Sequence, residues 1–213
     1  MSSRSDSGRR SKPSMIAVLF ILPCLWISPA HGAGNRWAVD FGGGVFIPFD
    51  GDHKDVYGTG SAFTIGVSPQ LKTGMWILFD AGLIKSSGHE SAVDRTFQLP
   101  EEEYTVIPVS LGIRTNGYQG PEEHGIRLYF GAAVQTVFTR WTDSNGESFD
   151  TPTVGLLFEM RPEVTVSGPW NLWLRNRFHF MGNSDYRGGS VADLNYSGSV
   201  LQLGVSYLVE SGR

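Results

Sequence analysis

The chain has 213 residues, with 17 basic and 21 acidic side chains and a formal net charge of −4. This acidic balance argues against nucleic acid as a partner and against membrane binding through a basic patch. Cys24 is the single cysteine, so no disulfide can form within the chain. Beyond residue 33, no apolar stretch is long enough for a membrane-spanning helix.

The N-terminal segment has the three parts of a secretory signal peptide. Residues 1–12 are polar and carry four basic side chains. Residues 15–27 form an apolar run with one proline, and this run is shorter than the ~20 residues that a spanning helix needs. Small residues follow, and they allow cleavage after Ala30 or after Gly32. We therefore predict a cleaved signal peptide over residues 1–32.

Residues 33–213 are predicted to form one domain built from β-strands. Between Trp37 and Val209, segments of about ten residues alternate apolar side chains with small or polar ones. Successive side chains of a strand point to opposite faces, so each segment has one apolar face and one polar face. We predict eight strands, at residues 37–47, 61–68, 75–84, 104–115, 126–138, 153–164, 171–181 and 196–209.

The connections between these strands differ in length and charge. Short to moderate connections, rich in turn residues, fall at residues 69–74, 116–125 and 165–170, and longer acidic ones at 48–60, 85–103, 139–152 and 182–195. Long and short connections alternate strictly, as in outer-membrane barrels, which have short periplasmic turns and longer outer loops. The pattern predicts an all-β fold, an eight-stranded antiparallel up-and-down transmembrane β-barrel. Both termini would be periplasmic and the four long loops extracellular.

Aromatic side chains are frequent near the predicted strand ends. Amphipathic rings are favoured at the boundaries between membrane and water, so we expect two aromatic belts. One belt would contain Trp37, Trp170, Trp173 and Tyr207, and the other Tyr104, Phe138, Trp141, Phe180 and Tyr196.

Three segments carry a family resemblance: residues 106–114 (VIPVSLGIR), 128–133 (LYFGAA) and 201–207 (LQLGVSY). In this order and spacing they resemble the outer membrane protein β-barrel domain family, the small eight-stranded barrels related to the transmembrane part of OmpA. The resemblance implies a monomer in the bacterial outer membrane, in contact with membrane lipids and lipopolysaccharide and inserted by the barrel assembly machinery. Family members usually end on an aromatic residue that this machinery reads. Here the chain continues to Arg213, so Tyr207 is expected to take that role.

Charged side chains fall on the predicted inward faces of several strands. They are Asp40, Asp80, Arg127, Glu159, Arg161, Arg175, Arg177 and His179. An eight-stranded barrel has an interior that side chains just fill, and a buried charge without a partner is very costly. We therefore predict a lumen charge cluster in which Glu159 pairs with Arg175 or Arg177 on the neighbouring strand. The alternative is a narrow pore, which needs an open interior.

Catalysis and cofactor binding find little support in the sequence. Lipid A deacylases, outer-membrane barrels of similar size, carry a His-x-Ser-Asn element near the outer end of strand seven. Here His179 is followed by Asn183 and Ser184, so the serine is not two residues after the histidine. We therefore expect no enzyme activity, with a deacylase as the alternative. The aspartates of residues 50–55 lack the glycine and distal glutamate of a calcium loop, so no metal and no other cofactor is expected.

The sequence therefore predicts an outer-membrane β-barrel with a polar, salt-bridged interior and four acidic loops, in a structural or surface-interaction role. A soluble exported barrel of the lipocalin type is a further alternative, because it has the same alternation of side chains. In a lipocalin-type barrel, however, the Leu, Val and Phe face would point inward and the glycines would lie outside.

Overall fold

A computed structural model describes residues 36–49, 54, 58–88, 102–120, 125–142, 148–181 and 197–210. All of them belong to the compact unit Gly32–Arg213. The predicted signal peptide, most acidic residues of the predicted long loops, and Asn183 and Ser184 lie outside the described residues. In the described part of the chain, no helix is long and apolar enough to cross a membrane.

The described residues form eight strands. They are β1 (Arg36–Pro48), β2 (Gly60–Lys72), β3 (Met75–Gly88), β4 (Glu102–Gln119), β5 (Ile126–Thr142), β6 (Ser148–Ser167), β7 (Trp170–Met181) and β8 (Gly198–Glu210). Each strand pairs antiparallel with the next, and β8 pairs with β1 along its whole length, which closes the barrel. Closure gives both edges of every strand a partner. The predicted eight-stranded antiparallel barrel is confirmed.

The hairpin of β5 and β6 extends beyond its predicted ends. The ladder continues to the pair Thr142↔Ser148, so β5 and β6 are connected by only five residues, 143–147. The sequence predicts a longer loop here, over residues 139–152. The β4–β5 connection, residues 120–125, has six residues. The strict alternation of long and short connections is therefore wrong at this hairpin. Backbone hydrogen bonds hold a ladder together whatever the polarity of its side chains, so polar segments can continue it past the apolar band.

The two shortest connections lie at the end of the barrel where β1 begins and β8 ends, and we call this the turn end. Residues 73–74 join β2 to β3, and residues 168–169 join β6 to β7. Gly74 (φ 75°) and Gly168 (φ 51°) have the left-handed backbone conformation that glycine adopts without strain. Longer connections follow β1, β3 and β7 at the opposite end, which we call the loop end.

The outer face of the barrel is apolar. Leu203, Val154 and Phe63 are 67%, 65% and 58% exposed, and the other exposed Leu, Ile, Val and Phe side chains of this face come from every strand except β3, whose outward apolar side chains are partly buried. A water-soluble barrel has the opposite distribution, since apolar side chains are stabilised by removal from water. The lipocalin-type alternative requires the Leu, Val and Phe face inside, and the structure contradicts it.

Two residues of the predicted aromatic belts lie inside the barrel. Trp173 and Tyr104 are 2% and 0% exposed, because both occupy inward positions in the two-residue period of their strands. Trp170 and Tyr207 do lie on the outer face at the turn end, with ring centroids 4.8 Å apart. Trp37, Phe138 and Phe180 also face outward, whereas the side chains of Trp141 and Tyr196 lie outside the described part of the chain.

The interior is not polar along its whole length. The loop-end apolar cluster consists of Phe46, Ala62, Ile84, Tyr104, Val106, Val137, Met181 and Val200. This differs from the predicted polar interior, because β4 carries apolar side chains on both faces and turns Tyr104, Val106 and Pro108 inward. A smaller apolar cluster of Ala38, Trp76 and Tyr129 lies near the turn end. Charged side chains lie beside this smaller cluster, because Arg114 and Arg161 are the register partners of Trp76 and Tyr129.

Candidate functional site

Among the described residues, eight charged side chains are buried inside the barrel, and we call them the buried charge network. They are Asp40 on β1, Asp80 on β3, Arg114 on β4, Glu159, Arg161 and Glu163 on β6, and Arg175 and Arg177 on β7. None is more than 6% exposed. Four acidic and four basic side chains give the network a formal charge of zero, which is the condition for burying so many ions together.

One half of the buried charge network is centred on Asp40. Arg161 donates to both carboxylate oxygens of Asp40, at 2.8 and 3.1 Å. Arg114 donates to the same carboxylate at 3.3 Å, and the Ser206 hydroxyl donates to Oδ1. Arg161 also contacts Glu163, with 2.6 Å between Nη2 and Oε2. These bonds tie β1 to β4, β6 and β8, with paired geometry of the kind that makes arginine–carboxylate contacts strong.

The other half is centred on Glu159 and Arg177, which face each other as register partners on β6 and β7. Arg177 donates from Nε to Glu159 Oε2 at 3.1 Å, and its two Nη atoms bind both carboxylate oxygens of Asp80. Glu159 also lies 3.9 Å from Arg114 and 4.0 Å from Arg175. Glu159 is therefore the carboxylate that three arginines share.

Trp173 contacts two of these arginines. The Arg161 guanidinium is 4.8 Å from the Trp173 ring centroid and the Arg175 guanidinium is 4.5 Å from it, so both make cation–π contacts. Trp173 pairs with Gly204 on β8, which in turn pairs with Gly42 on β1. A side chain at either glycine would overlap the indole ring. The two glycines thus provide the space in which the ring lies.

Neutral polar side chains lie beside the network on its loop side. Arg175 donates to Gln202 Oε1 at 2.6 Å, and the Gln202 amide donates to the Thr64 hydroxyl at 2.7 Å. His179 Nδ1 lies 2.9 Å from Gln135 Oε1. His179 is 2% exposed and points into the barrel, away from the outer face.

The structure places the predicted cluster residues at three levels of the barrel. Six of them, namely Asp40, Asp80, Glu159, Arg161, Arg175 and Arg177, lie in the buried charge network. Arg127 lies towards the turn end, is 23% exposed at its side chain and contacts Glu163 at 3.3 Å. His179 binds neutral Gln135 and lies on the loop side of the network.

Sequence reasoning missed two members of the network, Arg114 and Glu163. Both are found by extending the two-residue period one step further along a strand. Arg114 follows Ser110 and Gly112 on the inward face of β4, and Glu163 follows Arg161 on the inward face of β6. The four-to-four balance of charges becomes visible only when these two residues are included.

Solved structures share this fold at low sequence identity. Neisserial surface protein A is 12% identical over 83% of this chain and 99% of its own, with a TM-score of 0.57. The outer membrane protein OprG from Pseudomonas aeruginosa is 12% identical over 86% of this chain and 99% of its own, with a TM-score of 0.58. The attachment invasion locus protein of Yersinia pestis is 11% identical over 84% of this chain and 100% of its own, with a TM-score of 0.52.

No protein-family model matches the chain, and no curated protein matches its sequence significantly. The likeness to the solved structures is one of fold. The chain is a small, closed, eight-stranded β-barrel of the architecture that these outer-membrane proteins have.

Proposed function

We propose that this protein is an integral outer-membrane β-barrel with a closed, ion-paired interior and a structural or surface-interaction role. The observation that carries the proposal is the inverted polarity of the barrel. Leu203 and Val154 are exposed outside while Glu159 and Arg161 are buried inside. In water, both the exposed apolar area and the buried charges would raise the free energy of the fold. In a bilayer the outer face is matched by lipid, and the closed ladder pairs the backbone.

The solved structures and the predicted signal peptide support this location. The similar structures are those of a surface protein, an outer membrane protein and an attachment invasion locus protein. We propose outer-membrane lipids and lipopolysaccharide as the contacts of the apolar face, and the barrel assembly machinery as the partner for insertion. We further propose a monomer, because the closed barrel already pairs all eight strands.

Cell fractionation and gel mobility test the proposal. The mature protein is expected in the outer-membrane fraction, and it should migrate faster on SDS gels when unheated than when boiled, because a closed barrel stays folded in detergent. A boiled sample of the same protein is the matched control for chain length. Release into the soluble periplasmic fraction, with equal mobility before and after boiling, would contradict the proposed location.

The proposed orientation puts both termini and the turn end in the periplasm, and the loop end outside the cell. Protease added to intact cells should then cut within residues 89–101 or 182–197, and spare 73–74 and 168–169. Mass spectrometry of the fragments identifies the cut sites, and cells opened by osmotic shock serve as the control. Cuts confined to the turn end of intact cells would reverse the orientation.

A lipid A deacylase remains the second candidate class, and the geometry does not favour it. The histidine that this candidate requires would have to meet an acyl chain of the surrounding membrane. His179 instead points into the barrel and binds Gln135. We therefore propose a protein without enzyme activity.

A conducting pore is likewise not favoured. The loop-end apolar cluster fills the interior on one side of the buried charge network. Within the network, the side chains of Arg161 and Arg177 cross the interior to reach aspartates on other strands. Eight strands enclose an interior that side chains just fill. The proposed interior is therefore a core that stabilises the barrel.

A further inference from the structure

Three ladders of the barrel are interrupted, and each interruption contains a proline. The ladders are β2–β3 at Pro69, β3–β4 at Pro108 and β6–β7 at Pro162. In each case two successive register pairs are missing, while the register continues unchanged on both sides. Proline has no backbone N–H. Each interruption therefore leaves one carbonyl of the neighbouring strand without its ladder donor.

At the β3–β4 interruption this carbonyl belongs to Gly82. Pairing between β3 and β4 stops after Ala81↔Val109 and resumes at Ile84↔Val106. In the gap, Gly82 lies opposite Pro108. On its other side Pro108 keeps its pairing with β5. The missing bond is therefore the one that a residue 108 amide would donate to the Gly82 oxygen.

The environment outside the barrel offers this carbonyl no replacement. Phe63 and Ile107, which flank the interruption on the outer face, are apolar and exposed at 58% and 42%. If this face lies in lipid, as in the proposed function, no water reaches Gly82 from outside. An unpaired backbone carbonyl is costly in that setting. A donor must then come from the interior.

The interior side of the interruption has a small cavity with space for about one water molecule. Gly82 and Pro108 form one wall of it, and its polar lining consists of Thr64, Arg177, His179 and Gln202. Gly82 has no side chain to cover its own carbonyl. The cavity therefore lies next to the residue whose carbonyl lacks a donor.

We propose that this cavity binds one structural water molecule, which donates one hydrogen to the Gly82 carbonyl and the other to His179 Nε2. The amide oxygen of Gln135 accepts from His179 Nδ1, so Nδ1 carries the ring hydrogen and Nε2 is an acceptor. Arg177 Nη1 uses one hydrogen on Asp80 and keeps the second available for the water oxygen, whereas Nη2 contacts both Asp80 and Glu159. About three hydrogen bonds are typical of a buried water. The water molecule would supply the hydrogen bond that the interrupted ladder lacks, so the Gly82 carbonyl would be paired within the membrane.

Water-to-amide cross-relaxation in NMR spectra of the folded protein in lipid nanodiscs tests the site. The amide protons of Gly82 and Leu83 are expected to show cross-peaks to a long-lived water. Pro108→Val restores a backbone N–H, so these cross-peaks should be lost and the new Val amide should be protected from exchange like its ladder neighbours. Pro162→Val, at another interruption, is the matched control and should keep them.

Absence of the cross-peaks in the unmodified protein would overturn the inference, as would their persistence in Pro108→Val. If Pro108→Val does not fold, His179→Phe removes one acceptor and should abolish the same cross-peaks. Cross-peaks between lipid chains and Ile107 in the unmodified protein distinguish a failure of the membrane location from a failure of the water site. Absence of these lipid cross-peaks would contradict the membrane location. Absence of the water cross-peaks alone would contradict only the water site.

Discussion

Glu159→Ala is expected to lower the free energy of unfolding of the barrel by ~3–5 kcal/mol, because removal of one partner strands buried charge. Glu159 accepts a hydrogen bond from Arg177 at 3.1 Å and lies within 4.0 Å of Arg175 and Arg114. Without the Glu159 carboxylate, the buried charge network would contain four arginines and three carboxylates. The measurement is equilibrium unfolding in urea with the protein folded in detergent or lipid, followed by tryptophan fluorescence.

Glu210→Ala is the matched control. Glu210 pairs with Arg36 at 2.8 Å, but both side chains are more than half exposed. An exposed ion pair is worth ~0–1 kcal/mol, so this variant should unfold almost like the unmodified protein. Equal losses in the two variants would mean that Glu159 does not lie in a closed ion-paired core, and the narrow-pore alternative would gain support.

Gly42→Ala is expected to destabilise the barrel by ~1–3 kcal/mol through overpacking. A methyl group at Gly42 would overlap Trp173, and this ring cannot move aside easily because the guanidinium groups of Arg161 and Arg175 both lie within 4.8 Å of its centroid. The same unfolding assay measures the effect. Trp173→Phe in the Gly42→Ala background should recover part of the loss, because the smaller ring leaves room for the methyl group.

Gly43→Ala is the control on the next residue. Position 43 faces outward, where an added Cβ would lie 3.4 Å from Phe63 Cδ1, an ordinary contact. Neither glycine has a left-handed backbone conformation. Gly43→Ala should therefore be neutral or stabilise by up to ~1 kcal/mol, since alanine restricts the unfolded chain. A loss at position 43 as large as at 42 would contradict the assignment of inner and outer faces.

The alternation of side chains was sufficient to predict the strands, but not which of their two faces lines the interior of the barrel. The last strand shows why: Leu201 and Leu203 alternate with Gln202 and Gly204, and only two faces are available to a strand. Strand ends were less predictable. The sequence predicts a loop after Phe138 because Thr and Arg follow, yet the β5–β6 ladder continues to Thr142. Ladder hydrogen bonds are made by the backbone, so the polarity of the side chains does not indicate where the ladder ends.

The composition of the site was predictable and its pairing was not. A period of two places Asp40, Glu159 and Arg177 inside, but no local pattern indicates that Arg161 reaches across the interior from β6 to Asp40 on β1. That contact depends on the diameter of the barrel and on the long arginine side chain. The position of Trp173 follows from glycines on two other strands, so it becomes visible only when the register is known.

Spin labels along β8 test the central claim, the apolar face in lipid, most directly. The sequence has one cysteine, Cys24, and it lies in the predicted signal peptide, so a single new cysteine in the mature chain carries the only label. Electron paramagnetic resonance then compares collisions of each label with oxygen, which concentrates in lipid, and with a water-soluble nickel complex.

Labels at Leu201, Leu203 and Val205 are expected to collide frequently with oxygen and rarely with the nickel complex. Labels at Gln202 and Ser206, which are both 1% exposed, should collide rarely with either reagent. The result is a period of two in oxygen accessibility along the strand. Frequent collisions with the nickel complex at Leu201, Leu203 and Val205 would place this face in water and contradict the membrane-spanning barrel.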